Sequence, residues 1–291
     1  MSQTRFGRAT SEFCESRAAL VALAVTLLLV VLAIAAPLIA PQNPYDLARL
    51  SILDNNLAPG SRGVSGTFYA LGTDDQGRDM LSAILYGLRL SLFVGVLATC
   101  IALVVGTSVG AISAYVGGRL DAALMRLVDV QLSFPAILIA LILAAVLGKG
   151  VDKVVIALVS VQWAYYARTV RSAALVERSR EYIAAARGLA LPQSRIVFRH
   201  LLPNAFAPIP PIATVQFAHA IGLEATLSFL GVGVPITEPS LGLLIANGYR
   251  YMLSGDIWIS FFPGVALLVV ILAVNVVGDR LRDVMNPRLR H

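Results

Sequence analysis

Ser108 is the residue whose sequence surroundings best fit a catalytic nucleophile. It lies in Gly106-Thr107-Ser108-Val109-Gly110, a G-x-S-x-G pattern, and the chain also carries His219 as a candidate base. A serine activated by a histidine would make an intramembrane serine protease. That chemistry needs a strand-to-helix turn, whereas this pattern lies in an uninterrupted apolar run. We therefore expect Gly106 and Gly110 to let a neighbouring helix approach closely, with the protease as an alternative.

Motifs for nucleotide, metal and redox chemistry are missing from the sequence. There is no G-x-x-x-x-G-K-[ST] loop that could cradle the phosphates of ATP. The three histidines do not have the spacing of a metal site. Cys14 and Cys100 form neither a metal pattern nor a convincing disulfide pair. The sequence predicts no catalytic, cofactor or metal site in this chain.

His219 and Glu224 are the polar residues that matter most, because a charge inside a membrane span costs about 2.5 to 3.5 kcal/mol unless it faces protein or water. The two lie about 140° apart around a helix, so they do not share one face. One interpretation places them along a translocation pathway. The other, which we prefer, is a hydrogen bond at a helix end or against a partner subunit.

Composition determines the class of protein in which these residues lie. Hydrophobic residues make up 57% of the 291 positions, charged residues only 14%, and the mean hydropathy is +0.78. These values are typical of an integral membrane protein and exclude an ordinary soluble domain. We expect one all-α membrane domain in contact with the lipid bilayer, and no nucleic-acid partner.

Six apolar segments are free of Asp, Glu, Lys and Arg. They are residues 18–45, 90–118, 130–148, 154–167, 200–223 and 257–278. Five have about the 20 residues that a membrane-spanning helix needs, whereas the 154–167 segment is short. Counting it as a span places sixteen Lys and Arg residues on the inner side and seven on the outer side. Because inner loops carry the excess of positive charge, the sequence predicts six transmembrane helices with both termini in the cytoplasm.

This topology divides the chain into successive regions. We predict a cytoplasmic tail at 1–17, a first transmembrane helix at 18–40, an extracytoplasmic loop at 41–89, a five-helix transmembrane domain at 90–281 and a cytoplasmic tail at 282–291. The loop at 41–89 is rich in Pro, Gly, Asn and Asp, which favour turns over a continuing helix.

The segment from Arg168 to Asn204 is a cytoplasmic loop with seven arginines. Within it, the pattern predicts a helix from Glu181 to Ala190, followed by a turn. The helix has an apolar stripe at i, i+3, i+4 and i+7, formed by Tyr182, Ala185, Ala186 and Leu189. Such a stripe suits a groove on a partner protein, although its basic flanks also suit a membrane surface.

The loop resembles the EAA loop of ATP-binding-cassette (ABC) importer permeases, whose short coupling helix docks on an ATPase subunit. Ala185, Ala186 and the closing Leu202-Pro203 fit the pattern, whereas Ala184 stands where glutamate is usual and Ala190 where glycine is usual. The resemblance implies that the 168–203 loop couples to the ATPase through Glu181, Tyr182, Ala184, Ala185, Ala186, Ala190 and Pro203.

Further motifs extend the resemblance over nearly the whole chain, to the C-type permeases for dipeptides, oligopeptides and nickel. They are Leu71-Gly72-Thr73-Asp74, Gly77-Arg78-Asp79, Tyr86-Gly87-Leu88-Arg89-Leu90-Ser91-Leu92, Leu132-Ser133-Phe134-Pro135, Ser228-Phe229-Leu230-Gly231-Val232-Gly233, Pro239-Ser240-Leu241-Gly242 and Phe262-Pro263-Gly264. The late motif has Leu241 where tryptophan is common.

The resemblance implies a six-helix permease of the type I ABC importer architecture in a bacterial or archaeal inner membrane. It would form half of a pathway for peptides or nickel complexes with a homologous B-type permease, two cytoplasmic ATPases and an extracytoplasmic binding protein. The chain would not be an enzyme and would hold no cofactor, since the partners would bind ATP and Mg. The alternative from the sequence is a self-contained channel or secondary transporter, although neither inverted repeats nor ion-binding broken helices are evident.

Overall fold

The computed structural model describes residues 12–46 and 50–285, and these form a helical protein with one small β-ribbon. The helices are α1 Arg17–Ile39, α2 Met80–Val116, α3 Gly118–Ser133, α4 Ala136–Leu147, α5 Val151–Arg178, α6 Glu181–Gly188, α7 Gln193–Arg195, α8 Leu202–Ala205, α9 Ile209–Phe229, α10 Leu241–Tyr249 and α11 Trp258–Met285. A π-helical turn, Ile196–Leu201, joins α7 to α8. Strands β1 Ser61–Arg62 and β2 Phe68–Tyr69 pair antiparallel, and 3-10 turns cover Ile52–Asp54 and Met252–Ser254. Most residues of the two predicted cytoplasmic tails, 1–17 and 282–291, lie outside the described residues.

Three of the described helices, α1, α2 and α11, are long and apolar enough to cross a membrane. The number rises to five if two bent helix pairs each count as one span. The structure therefore agrees with a multi-span helical protein. It does not by itself give the predicted number of six.

The predicted span at 130–148 is not one helix. Helix α3 ends at Ser133, α4 begins at Ala136, and the two meet at 91°. Phe134 is extended, with φ −95° and ψ 145°, as expected of a residue before proline. Because Pro135 has no N–H, the helical hydrogen bonding cannot continue through the junction. The apolar count missed this bend because it treated Pro135 as one more uncharged residue.

The short 154–167 segment lies inside α5, a helix of 28 residues. At 1.5 Å per residue this helix is about 42 Å long, enough to cross a bilayer. Its charged ends exclude it from the apolar helices counted above. Eleven of its residues are buried within the protein, so much of its surface is covered by other helices rather than by lipid.

The centre of the fold is the packing of α2 against α5. Gly106 and Gly110 face the backbone of α5 at Trp163 and Ala167, so closely that a Cβ atom at either glycine would clash. This is the close helix approach that the small-xxx-small pattern predicts. The same helix also contacts α9, where the Gln162 side chain donates to the Gln216 carbonyl oxygen at 2.9 Å.

The loop between α1 and α2 ends ten residues earlier than predicted, because α2 begins at Met80 rather than Leu90. Asp79 caps the helix, and its carboxylate accepts a hydrogen bond from the Ser82 N–H at 2.8 Å. Such a cap satisfies one of the N–H groups that a helix start leaves free. The prediction began after Arg89 because of its charge, yet Arg89 is an exposed residue within the helix.

This loop is folded around buried polar groups. Asp54 is buried and accepts hydrogen bonds from the Tyr69 hydroxyl at 3.1 Å and the Val64 N–H at 2.7 Å. Burial, followed by the hydrogen bond to Asp54, raises the pKa of Tyr69 to about 12. The Trp258 indole N–H donates to the Thr73 carbonyl oxygen at 3.3 Å, which joins the loop to the first turn of α11.

Candidate functional site

The helix predicted at 181–190 is present as α6, and an apolar cluster holds it against the rest of the chain. The cluster combines the ends of α2 and α5 with α6 and the segment that follows it. Its buried members are Ala114, Ala174, Ile183, Ala186, Ile196, Leu201 and Ala205. Helix α6 packs mainly on the π-helical turn that follows it, and the cluster connects both of them to the ends of α2 and α5.

Helix α6 has an inner and an outer face. Ile183 and Ala186 are 1% and 6% exposed and belong to the apolar cluster. Glu181, Ala184 and Ala185 are exposed and form the outer face. The predicted stripe is therefore wrong in one respect: Ala186 faces inward, although the stripe placed it with Ala185 on one docking surface.

Tyr182 joins the two ends of the loop. Its hydroxyl donates to Glu177 Oε2 at 2.7 Å, and Asn204 Nδ2 donates to the same hydroxyl at 3.2 Å. Asn204 also donates to the His200 carbonyl oxygen at 2.7 Å. Burial, followed by the hydrogen bond to Glu177, raises the pKa of Tyr182. At neutral pH the hydroxyl therefore stays protonated and holds α6 to the residues on either side of it.

Ala190 has a left-handed backbone conformation, with φ +52°. This conformation costs an L-residue roughly 1 to 2 kcal/mol and glycine almost nothing. It lets the chain turn away from α6, where the Leu191 N–H bonds to the Ala186 carbonyl oxygen at 3.2 Å. The substitution of alanine for the usual glycine thus has a physical consequence, because the turn is made with strain.

Pro203 is exposed and follows a π-helical turn. The Leu202 N–H bonds to Val197, five residues back, instead of to the residue four back. Proline cannot donate a backbone hydrogen bond, and a π-turn is one way to accommodate that loss.

Two of the seven arginines in the loop are paired with aspartates of α3. Arg171 binds Asp121 at two points, Nε to Oδ1 at 2.5 Å and Nη2 to Oδ2 at 2.6 Å, and Arg168 binds Asp129. Sequence reasoning missed these pairs because it treated the arginines only as an inner-side charge excess. The signal was present, since Asp121 and Asp129 lie in the preceding inner segment.

Glu224 is buried inside the chain, with 0% exposure. Its carboxylate accepts hydrogen bonds from the hydroxyls of Ser91 on α2, at 2.7 Å, and Ser228 on α9, at 2.8 Å. Both hydrogen bonds are made within the chain, and Ser228 lies in the last turn of α9. The pathway, helix-end and partner-subunit interpretations of Glu224 stay predictions. His219 lies apart from it, exposed on α9.

Ser108 lies within α2, and its hydroxyl donates to the Val104 carbonyl oxygen at 2.7 Å. The surrounding backbone is continuous helix, so the turn that a serine nucleophile requires is not formed. The protease alternative has no structural support at this residue.

Comparisons with known proteins agree with this geometry. Residues 102–291 match the family model described as binding-protein-dependent transport system inner membrane component. Residues 4–59 match the N-terminal TM domain of oligopeptide transport permease C. Two solved structures of the MetNI methionine ABC transporter, both inward facing, share the fold; one has a TM-score of 0.58 at 22% identity and covers 71% of this chain and 98% of its own.

Curated relatives are similar over most of the chain. A putative peptide transport system permease protein of Brucella suis is 42% identical, with 77% of this chain and 75% of the relative aligned. The dipeptide transport system permease protein DppC of Haemophilus influenzae is 35% identical over 96% and 93%. The oligopeptide transport system permease protein OppC of Bacillus subtilis is 35% identical over 96% and 88%. By these matches, the chain belongs to the family of binding-protein-dependent transport system inner membrane components.

Proposed function

We propose that this chain is a permease subunit of an ABC importer for dipeptides or oligopeptides. The names of its relatives support the substrate class, and the family supports the role of the chain as a transport subunit rather than an enzyme. The observation that carries the proposal is α6, which presents an exposed outer face while an apolar cluster fixes its inner face to α2 and α5.

The proposed topology has six spans with both termini in the cytoplasm. The spans are α1, α2, the bent α3–α4 pair, α5, the bent pair that ends in α9, and α11. Length and composition give five of these spans, and α5 adds the sixth. Its burial by neighbouring helices supports its inclusion despite its charged ends. The excess of Lys and Arg on the inner side supports the orientation.

The proposed assembly pairs this chain with a homologous B-type permease in a bacterial or archaeal inner membrane. Two cytoplasmic ATPases would bind ATP and Mg and perform the hydrolysis, and an extracytoplasmic binding protein would deliver the peptide. The side chains that line the pathway in this chain would let the peptide pass and would not catalyse a chemical reaction.

Coupling would proceed through the outer face of α6, formed by Glu181, Ala184 and Ala185. The alanines allow an ATPase surface to approach closely, since neither side chain extends beyond Cβ. Closure of the ATPases would then displace α6 together with the ends of α2 and α5. To change the ratio of the inward- and outward-facing states from 1:99 to 99:1, the ATPases must bind the favoured state more tightly by about 5.5 kcal/mol.

The experiment compares uptake and assembly in a variant of the exposed face. Ala185→Arg should abolish ATP-dependent peptide uptake into vesicles, while the complex still forms and the binding protein still captures peptide. Leu53→Arg, at an exposed apolar residue of the α1–α2 loop, is a control for the added charge. Unchanged uptake by Ala185→Arg would contradict the coupling role.

A second measurement separates the importer from a self-contained channel or secondary transporter. The purified chain should co-purify with an ATPase subunit and should not transport peptide alone in liposomes. Conduction or transport by the isolated chain would overturn the proposal.

A further inference from the structure

A groove runs between α1 and α2 and reaches α9, with a volume of about 650 Å³. Its walls are apolar over most of their length, with contributions from Ile34 on α1, Phe93 and Val96 on α2, and Phe217 on α9. The groove is not lined by Glu224, by its partners Ser91 and Ser228, or by any residue of α6. The groove is therefore separate from the sites described above.

One end of the groove carries polar side chains, one of them an arginine. Arg89, Tyr45 and Tyr86 line it there, and the two tyrosine rings meet edge to face with centroids 5.2 Å apart. Tyr45 follows the end of α1, and Arg89 lies in the third turn of α2, so this end is near the side where the α1–α2 loop begins. Tyrosine and arginine at this depth are typical of a membrane–water interface.

The charge of Arg89 is available to a ligand. Within residues 12–46 and 50–285, no carboxylate oxygen lies within 4.0 Å of its guanidinium. Glu238 acts electrostatically on Tyr45 in opposition to Arg89, and Asp46 follows Tyr45 in the chain. A guanidinium and two tyrosines that line the same groove are suitable partners for a phosphate oxygen.

The apolar part continues into a surface that suits lipid. Helix α1 exposes Leu27, Leu28, Val31 and Leu38, while its buried residues are the alanines at 19, 22, 33 and 36. In a bilayer, such a face is covered by acyl chains or by another helix. An arginine and two tyrosines at one end of an apolar groove match a lipid, which has both a charged headgroup and an acyl chain, better than an apolar helix.

We propose that this groove binds an anionic phospholipid of the outer leaflet, with the phosphate on Arg89 and the tyrosine hydroxyls and one acyl chain between α1 and α2. The lipid would fill the gap that the small residues of α1 leave beside α2.

Native mass spectrometry of the permease complex, released from nanodiscs of defined composition, tests the proposal. The nanodiscs contain equal amounts of phosphatidylglycerol and phosphatidylcholine with identical acyl chains. The wild-type complex should retain phosphatidylglycerol over phosphatidylcholine by about fivefold, the preference expected from one arginine near a headgroup. Arg89→Gln should abolish this preference.

Two further variants distinguish the headgroup from the acyl chain. Arg62→Gln removes an exposed arginine of β1 and should leave the preference unchanged. Ile34→Trp fills the groove from α1 and should reduce retention of both lipids equally. A wild-type complex without headgroup preference, or a preference that survives Arg89→Gln, would show that the groove is not an anionic lipid site.

Discussion

Ala185 and Ala186 are neighbours in sequence, about 100° apart around α6, and only Ala186 faces the rest of the chain. Ala185 is exposed, whereas Ala186 is 6% exposed and packs with Ile183 in the apolar cluster that anchors the helix. The same substitution at these two positions should therefore have different physical effects. Position 185 tests docking, and position 186 tests the attachment of the helix.

The first prediction uses aspartate at both positions. Ala186→Asp buries a short, unpaired carboxylate, which typically costs about 3 to 5 kcal/mol, so α6 should detach from α2 and α5. Ala185→Asp should leave the thermal unfolding of the purified complex unchanged and reduce only ATP-driven uptake. Limited proteolysis between Arg178 and Arg187 measures detachment directly. Equal protease resistance of the two variants would contradict the assignment of the faces.

The second prediction concerns the strained turn after α6. Ala190→Gly should stabilise the protein by about 1 kcal/mol, because glycine adopts a φ of +52° without the clash that alanine suffers. Ala184→Gly is the matched control at an exposed position within α6, where glycine should destabilise by about 0.5 to 1 kcal/mol. Chemical unfolding of both variants measures these changes. A loss of stability in Ala190→Gly would contradict the strain.

Sequence patterns predicted the helices better than their interruptions. The apolar runs located α1, α2 and α11, because length and lack of charge are local properties of the chain. The 91° bend at Pro135 was missed, since a count of charges does not register a missing N–H. The full length of α5 was also missed, because a helix covered by protein needs no uniformly apolar surface.

The sequence predicted where the candidate docking helix α6 lies in the chain, but not which residues it packs against. The pattern located α6, yet it could not orient the helix, because Ile183 and Ala186 are buried by cluster residues as distant in sequence as Ala114. In the same way, Ser91 and Glu224 are 133 residues apart and meet only when α2 packs on α9. Such pairings depend on tertiary packing, which a single sequence does not display.

The third prediction concerns the Arg171–Asp121 ion pair, which connects α5 to α3. Arg171→Ala leaves the half-buried Asp121 with only its contact to Ser113, and it should destabilise the complex by about 1 to 3 kcal/mol. Arg171→Lys keeps the charge but loses the two-point geometry, so its effect should be smaller. A double-mutant cycle with Asp121→Asn measures the coupling energy. Additive effects of the two substitutions would contradict the pair.

The fourth prediction is a pH dependence of the folded α1–α2 loop. Tyr69 has a raised pKa of about 12 in the folded loop, against an ordinary value of 10, so the folded state holds its proton more tightly than the unfolded state. The stabilisation is complete below pH 10 and is lost as the pH rises toward 12. Proteolysis of the loop should accelerate over this window. Tyr69→Phe should weaken the dependence, and an unchanged profile would contradict the role of Tyr69.

The last prediction separates a structural role of Glu224 from a role in the pathway. Glu224→Ala removes the acceptor of two buried hydroxyls, those of Ser91 and Ser228, and leaves a cavity. Together these losses should cost about 2 to 5 kcal/mol. Glu224→Gln keeps the size of the side chain and one carbonyl acceptor, so the complex should assemble and retain most of its stability.

Transport by the Glu224→Gln variant decides between the two roles. If the carboxylate only joins α2 to α9, peptides with positive, neutral and negative side chains should all be imported at the wild-type ratio of rates. If the carboxylate faces the pathway, removal of its charge should change uptake of charged peptides relative to neutral ones, because only the former interact strongly with it. The burial of Glu224 leads us to expect unchanged ratios.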